Sequence, residues 1–207
     1  NSGKFELIRD ALKPFIAQNE IAGAVTLVTT KDKVLDLAAV GESNVAAHSP
    51  MRTDNVFWIA SMTKPLTGTA ILMLQEQGKL NIEDPVSKFI PEFANVKTPS
   101  GKPANLTLRQ LLTHTSGLSE ATSEQQKAAK TLSDLIPYFV AKPTQFEPGS
   151  QWRYCQSGIN TLGRIIEITS GQSLPEFFAQ HITGPLGMKD TTFYPTREQQ
   201  KRLVTPY

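Results

Sequence analysis

The sequence predicts an α+β fold on three observations. Apolar residues recur at helical spacing near the start. Two β-rich runs then flank a short polar turn, and the rest of the chain alternates helical patterns with Gly- and Pro-rich loops. Phe5, Ile8, Leu12, Phe15 and Ile16 put an amphipathic helix over residues 4–18. "AGAVTLVTT" (22–30) and "KVLDLAAVG" (33–41) form a hairpin turning at Lys31 and Asp32, and 42–55 is a polar loop. A helix opens near Ser61, runs to Gln77 and stops at Gly78, whose missing side chain suits a helix terminus. "NIEDPVSKFIPEF" reads as a turn and a short helix broken by Pro91.

"NLTLRQLLTHTSGL" (105–118) is a short helix entered at Thr107 and ended near Gly117. Residues 123–141 are helical in two pieces, with "SDL" (133–135) as an N-cap followed by a first-turn acid. A Pro/Gly-rich loop spans 141–154. Apolar positions 159, 162, 165, 166 and 168 then mark a helix stopped by Gly171. Ser173 caps another short helix with Pro175 near its start. After Gly184 the chain is irregular, with "TTFYP" extended.

Composition narrows the function. The 207 residues suffice for one domain or two closely packed lobes, and 39% hydrophobic content supports a core. A net charge of +2 with interspersed signs argues against a nucleic-acid partner. Cys155 is the single cysteine, so no intrachain disulfide forms. His48, His114 and His181 are scattered, and no H-E-x-x-H or C-x-x-C pattern offers a metal site. There is no G-x-S-x-G elbow and no dinucleotide or P-loop glycine run. The apolar stretches are too short for a transmembrane segment, and the polar start "NSGKFELIRD" carries no signal peptide.

The chemistry concentrates at "SMTK" (61–64). Three residues apart on a helix, Ser61 and Lys64 share a face. A serine hydroxyl becomes a nucleophile when a neighbour takes its proton. A lysine can do so once burial or nearby positive charge disfavours the ammonium. Pro65 is tolerated only in a first turn, which places Ser61 at the helix N-terminus, where the dipole favours a developing oxyanion. S-x-x-K alone is weak, and an ordinary N-cap serine beside a solvated lysine fits it too. Ser61 is the one serine among fourteen with a lysine three residues on. In "EPGSQWRYCQSGINTLGRIIE" (147–167), Tyr154 ends a loop just before a helix. A phenol beside a lysine can act as a proton donor and acceptor; otherwise Tyr154 anchors its loop.

"SMTK", "LLTHTSGL", "PGSQWRYCQSGINTLGRIIE" and "PLGMKDTTF" stand in the order found in the penicillin-recognising serine hydrolases. The chain resembles the bacterial group of class C β-lactamases, D-alanyl-D-alanine carboxypeptidases and family VIII carboxylesterases. The resemblance implies Ser61 as acylated nucleophile, Lys64 as proton acceptor and Tyr154 as the group moving protons at the leaving group. It also implies the Ser61 backbone N–H as an oxyanion donor, with His114 a structural landmark. Two departures stand out. The family pattern Y-x-N reads Tyr154-Cys155-Gln156 here, and the longer Gln156 changes the reach of a substrate-binding amide. The third family motif, K-T-G or H-x-G on a strand, finds no match after Tyr154.

The resemblance thus implies a β-lactamase/transpeptidase-like α+β fold: an incomplete antiparallel sheet with a covering helix, a helical lobe, and an active site in the cleft between them. Residues 1–207 are expected to be the N-terminal portion of one such domain. Residues 1–50 would be the helix and hairpin of the α/β lobe, and 51–207 the mainly helical part. The expected function is serine hydrolysis of an ester or amide (a β-lactam, a D-Ala-D-Ala peptide or a small ester) through a Ser61 acyl-enzyme, with no cofactor. Esterase activity is favoured over efficient β-lactamase activity because of Gln156. Two other readings stand beside it: a non-catalytic binding or scaffolding module of the same fold, and a fragment needing a complementary C-terminal chain from the same precursor. A periplasmic or secreted location is slightly favoured by the resemblance.

Overall fold

The computed structural model describes residues 3–206. The chain divides into two compact units, Asn1–Ile59 with Phe193–Tyr207, and Ala60–Thr192. The sequence had suggested a division at 50/51. Backbone pairing explains why 51–59 and the C-terminal stretch belong to the first unit. Val56 donates its N–H to Arg202 O (2.8 Å) and accepts from Val204 N–H (2.9 Å), and Asn55 Nδ2 donates to Arg202 O (2.8 Å).

In the first unit, α1 (Gly3–Ala17) packs on a three-stranded antiparallel sheet of order β1-β2-β3. The strands are β1 (Gly23–Thr29), β2 (Val34–Asn44) and β3 (Ser49–Pro50). The hairpin has the expected turn: the Thr30 hydroxyl accepts from Lys33 N–H at 3.2 Å, and Thr30 N–H donates to Lys33 O at 2.9 Å. At the open end of the hairpin, where Gly23 pairs with Gly41, Gly41 is required. Its φ is +73°, and an added Cβ would lie 2.3 Å from Ala22 O.

The expected two-stranded hairpin and polar loop 42–55 need correction. β2 continues to Asn44, and β3 pairs with it through Glu42↔Pro50 and Asn44↔Ser49. Glu42, Asn44 and Ser49 are polar and Pro50 is a poor strand former, so no apolar alternation marks this pairing as strand. "TTFYP" contains no strand either. A short helix, Arg197–Lys201, follows it, entered through a capping box between Thr196 and Gln199.

The second unit is helical. Its helices are α2 (Thr63–Glu76), α3 (Leu108–Leu112), α4 (Ser123–Ala128), α5 (Ile136–Val140), α6 (Gln156–Ser170) and α7 (Leu174–Phe178), followed by a π-helical turn, Ala179–Thr183. The segment around Pro91 forms two 3₁₀ turns, Val86–Lys88 and Pro91–Asn95. α6 is the hub, packing on α2, α3 and α7. Its Ile159, Leu162, Ile165 and Ile166 are buried on one stripe against Ile71 and Leu74 of α2, Leu108 and Leu111 of α3 and Phe177 of α7. Fully burying each such side chain contributes about 1.5–3 kcal/mol.

Capping sets most of the boundaries. Thr107 with Gln110, Thr122 with Gln125 and Ser173 with Glu176 form capping boxes, and Gly171 closes α6 at φ +73°. Ser133 is not the cap expected at "SDL". The Thr131 hydroxyl accepts from Asp134 N–H at 3.3 Å, while Asp134 Oδ2 accepts from Lys130 and Thr131 N–H, each at 2.9 Å. Among the described residues no helix is long and apolar enough to cross a membrane.

Candidate active site

All four residues singled out in the sequence lie in the helical unit. Ala60–Met62 form a 3₁₀ turn leading into α2, so Ser61 precedes the α-helix rather than opening it. The structural N-cap is Met62, with no side-chain capping bond. Ser61 is therefore not an ordinary capping serine. Ala60 adopts φ +43°, a region that costs a non-glycine residue about 1–3 kcal/mol. Pro65 falls in the first turn of α2, where its missing N–H costs nothing.

Lys64 bridges the site. Its half-buried Nζ donates to Ser61 Oγ at 3.0 Å and to Gln156 Oε1 at 2.5 Å, and lies 4.7 Å from the centre of the Tyr154 ring. Hydrogen bonding of the Tyr154 phenol to Lys64, and then to Ser61, holds its pKa below the usual tyrosine value; the Lys64 charge acts in the same direction. Ser61 and Tyr154 are exposed. The i,i+3 spacing brings Ser61 to Lys64, and α6 packed on α2 brings Tyr154 and Gln156 to the same lysine.

Gln156 has both ends of its amide engaged, with Nε2 donating to Asn160 Oδ1 at 2.9 Å one turn along α6. That bond turns the carbonyl oxygen toward Lys64. His114, with φ +60°, accepts from Cys155 N–H at Nδ1 (3.2 Å), and its carbonyl oxygen accepts from Arg153 N–H (2.9 Å). Its ring packs 4.7 Å from that of Tyr154 and 6.1 Å from that of Trp152. An imidazole accepting at Nδ1 is neutral with its proton on Nε2. Burial, and then the Lys64 charge, lower the His114 pKa to match. Cys155 is buried beside Leu118 O, and burial pushes its thiol up to about 11, so it is a poor nucleophile at neutral pH.

Glu120 and Asn160 escaped the sequence analysis. The Glu120 carboxylate accepts from Gln156 N–H (2.5 Å), Ser157 N–H (3.0 Å) and the Ser157 hydroxyl (2.7 Å). It caps α6 from 36 residues upstream, because the local N-cap position holds Cys155, whose side chain makes no capping bond. No local pattern could announce that contact. Asn160 had a weak signal, an amide four residues after Gln156. Among the described residues no group of three His, Cys, Asp or Glu could hold a metal ion.

The chain is 30% identical to esterase EstB of Burkholderia gladioli over 206 residues, covering 93% of the chain and 52% of the relative. Among solved structures, EstCE1, a hydrolase with promiscuous acyltransferase activity, superposes with a TM-score of 0.87 at 28% identity, over 97% of the chain and 55% of the other. A class C β-lactamase superposes with a TM-score of 0.84 at 22% identity, over 98% and 55% respectively, and so shares the α+β, β-lactamase/transpeptidase-like fold. The chain spans about half the length of the curated relatives it matches. The β-lactamase family model matches residues 8–207, and with the relatives at this identity the chain belongs to the β-lactamase family.

Proposed function

We propose that the protein is a serine acyl hydrolase acting on an ester or amide through a Ser61 acyl-enzyme. The observation that carries this is Lys64 Nζ, 3.0 Å from Ser61 Oγ, held from its other side by Gln156 Oε1. In the reacting form Lys64 is neutral. It takes the hydroxyl proton as Ser61 Oγ bonds to the substrate carbonyl carbon. The Ser61 backbone N–H, in the turn before α2, would face the oxyanion. As the intermediate collapses, the bond to the leaving oxygen or nitrogen breaks and that atom takes a proton from Tyr154. A water molecule then attacks the acyl ester and gives one proton to the lysine–phenol pair, which passes it to Ser61 Oγ as the acyl–Oγ bond breaks, releasing the acid and restoring neutral Lys64. Small esters are favoured over β-lactams, because Gln156 is longer than the amide that the penicillin-recognising pattern places there. The relative EstB carries the name esterase.

The test is intact-mass analysis of the full-length protein after incubation with a fluorophosphonate or an activated ester. One adduct is expected, absent in Ser61→Ala. An adduct that survives Ser61→Ala would overturn the assignment.

A further inference from the structure

We propose that Glu120 is a positioning residue for this site, setting where Gln156 meets Lys64. The proposal rests on the Ser61–Lys64 reading above and extends it. Tyr154 and Gln156 flank Cys155 at the point where extended chain turns into α6. Three successive amides at that point are tied to the segment after α3. Cys155 N–H goes to His114, and Gln156 and Ser157 N–H go to the two oxygens of Glu120. The start of α6 is therefore located by residues 114 and 120, not by a cap of its own.

The chemistry of Glu120 is specific. Two amide N–H groups and the Ser157 hydroxyl all donate into one carboxylate. Only an acceptor-only group satisfies all three, and charge-assisted bonds of this kind are about twice as strong as neutral ones. Ser157 is fully buried, so its N–H has no water to fall back on. In Glu120→Gln one oxygen becomes an NH₂ group. That group can donate to Ser157 Oγ, but the Ser157 N–H then loses its acceptor. The first turn of α6 would relax, and with it the 2.5 Å contact between Gln156 Oε1 and Lys64 Nζ. Glu120 is hydrogen-bonded to none of Ser61, Lys64 and Tyr154, and the route proposed for its effect on the reaction is Gln156.

A double-mutant cycle in the full-length protein tests this. It combines Glu120→Gln with Gln156→Ala and reads the rate of Ser61 acylation by an activated ester, well below each variant's melting temperature. Glu120→Gln is expected to slow acylation about 10-fold, in line with the sensitivity of such reactions to small misplacements. In the Gln156→Ala background the same change is expected to cost less than about twofold, because the path is already cut. Glu120→Asp keeps three acceptor sites one methylene short, so it should fall between wild type and Glu120→Gln, and it serves in the cycle if Glu120→Gln does not fold. Equal losses in both backgrounds, or a lowered melting temperature with unchanged acylation, would overturn the proposal and leave the Ser61 reading intact. Labelling that persists in Ser61→Ala would instead overturn the reading on which it rests.

Discussion

Lys64 makes two hydrogen bonds that ask different things of it. Its Nζ donates to Gln156 Oε1 and faces the hydroxyl whose proton it is proposed to take. Arginine can keep the charge but cannot release a proton at usable pH. Lys64→Arg is therefore expected to acylate about 10²–10⁴-fold more slowly, nearly as damaging as Lys64→Ala. The Tyr154 titration should separate the two variants. The phenol stays below its ordinary value in Lys64→Arg and rises toward it in Lys64→Ala, measured by absorbance against Tyr154→Phe. Substantial fluorophosphonate labelling of Lys64→Arg would make Tyr154 the working base. Gln156 is the second residue to test. Gln156→Asn shortens the amide that approaches Lys64, and we expect the ratio of β-lactam to small-ester turnover to rise. An unchanged or lowered ratio would remove Gln156 as the determinant of substrate preference.

At the scale of elements, α6 carries the site because it is anchored at both ends. Its apolar stripe lies in the core, Gly171 ends it, and the segment 113–122 holds its start. His114 is the pH-sensitive part of that hold. Burial and the Lys64 charge lower its pKa, with the Glu120 carboxylate pulling the other way. A histidine whose folded pKa lies below its unfolded value of about 6.5 contributes stability above that pH and loses it as pH falls toward the folded value. Protonation at Nδ1 would also remove the acceptor for Cys155 N–H. His114→Asn keeps an acceptor and tolerates the left-handed backbone. Denaturant midpoints between pH 7 and pH 5 should therefore fall more steeply in wild type than in His114→Asn. Parallel slopes would mean that His114 is not protonated on unfolding in this range.

At the scale of the whole molecule, the chain spans about half the length of its relatives, and β1 is an edge strand of the sheet. An edge strand presents unpaired backbone N–H and C=O groups to any neighbouring strand. The family resemblance assigns one oxyanion donor to Ser61, while the motif that would bring a second has no match after Tyr154. Loss of one such donor costs about 10²–10³ in rate. Residues 1–207 assayed alone are expected to hydrolyse a small ester at least about 10²-fold more slowly than the esterase EstB. Native mass spectrometry of the same sample would report whether the β1 edge draws copies together. A monomer with Ser61-dependent turnover matching EstB would show that these residues need nothing further.

The sequence by itself determined the elements whose signals are local. The Ser61–Lys64 pair follows from i,i+3 spacing and a first-turn proline. Thr107, Ser173 and Gly171 announced their helix boundaries, and the apolar stripe of α6 announced its buried face. Local signals failed where pairing runs through the backbone or across the chain. β3 is two residues, Ser49 and Pro50, with no apolar alternation to mark a strand, "SDL" hid a cap supplied by Thr131, and Ser61 precedes its helix in a 3₁₀ turn. The site's support was invisible for the same reason. Glu120 lies 36 residues from the helix start it caps, and Lys64 lies 92 residues from the Gln156 amide it bonds. Those contacts exist only once α3 and α2 pack on α6, because burial of apolar stripes, which carries no information about which polar tips will meet, is what brings them together.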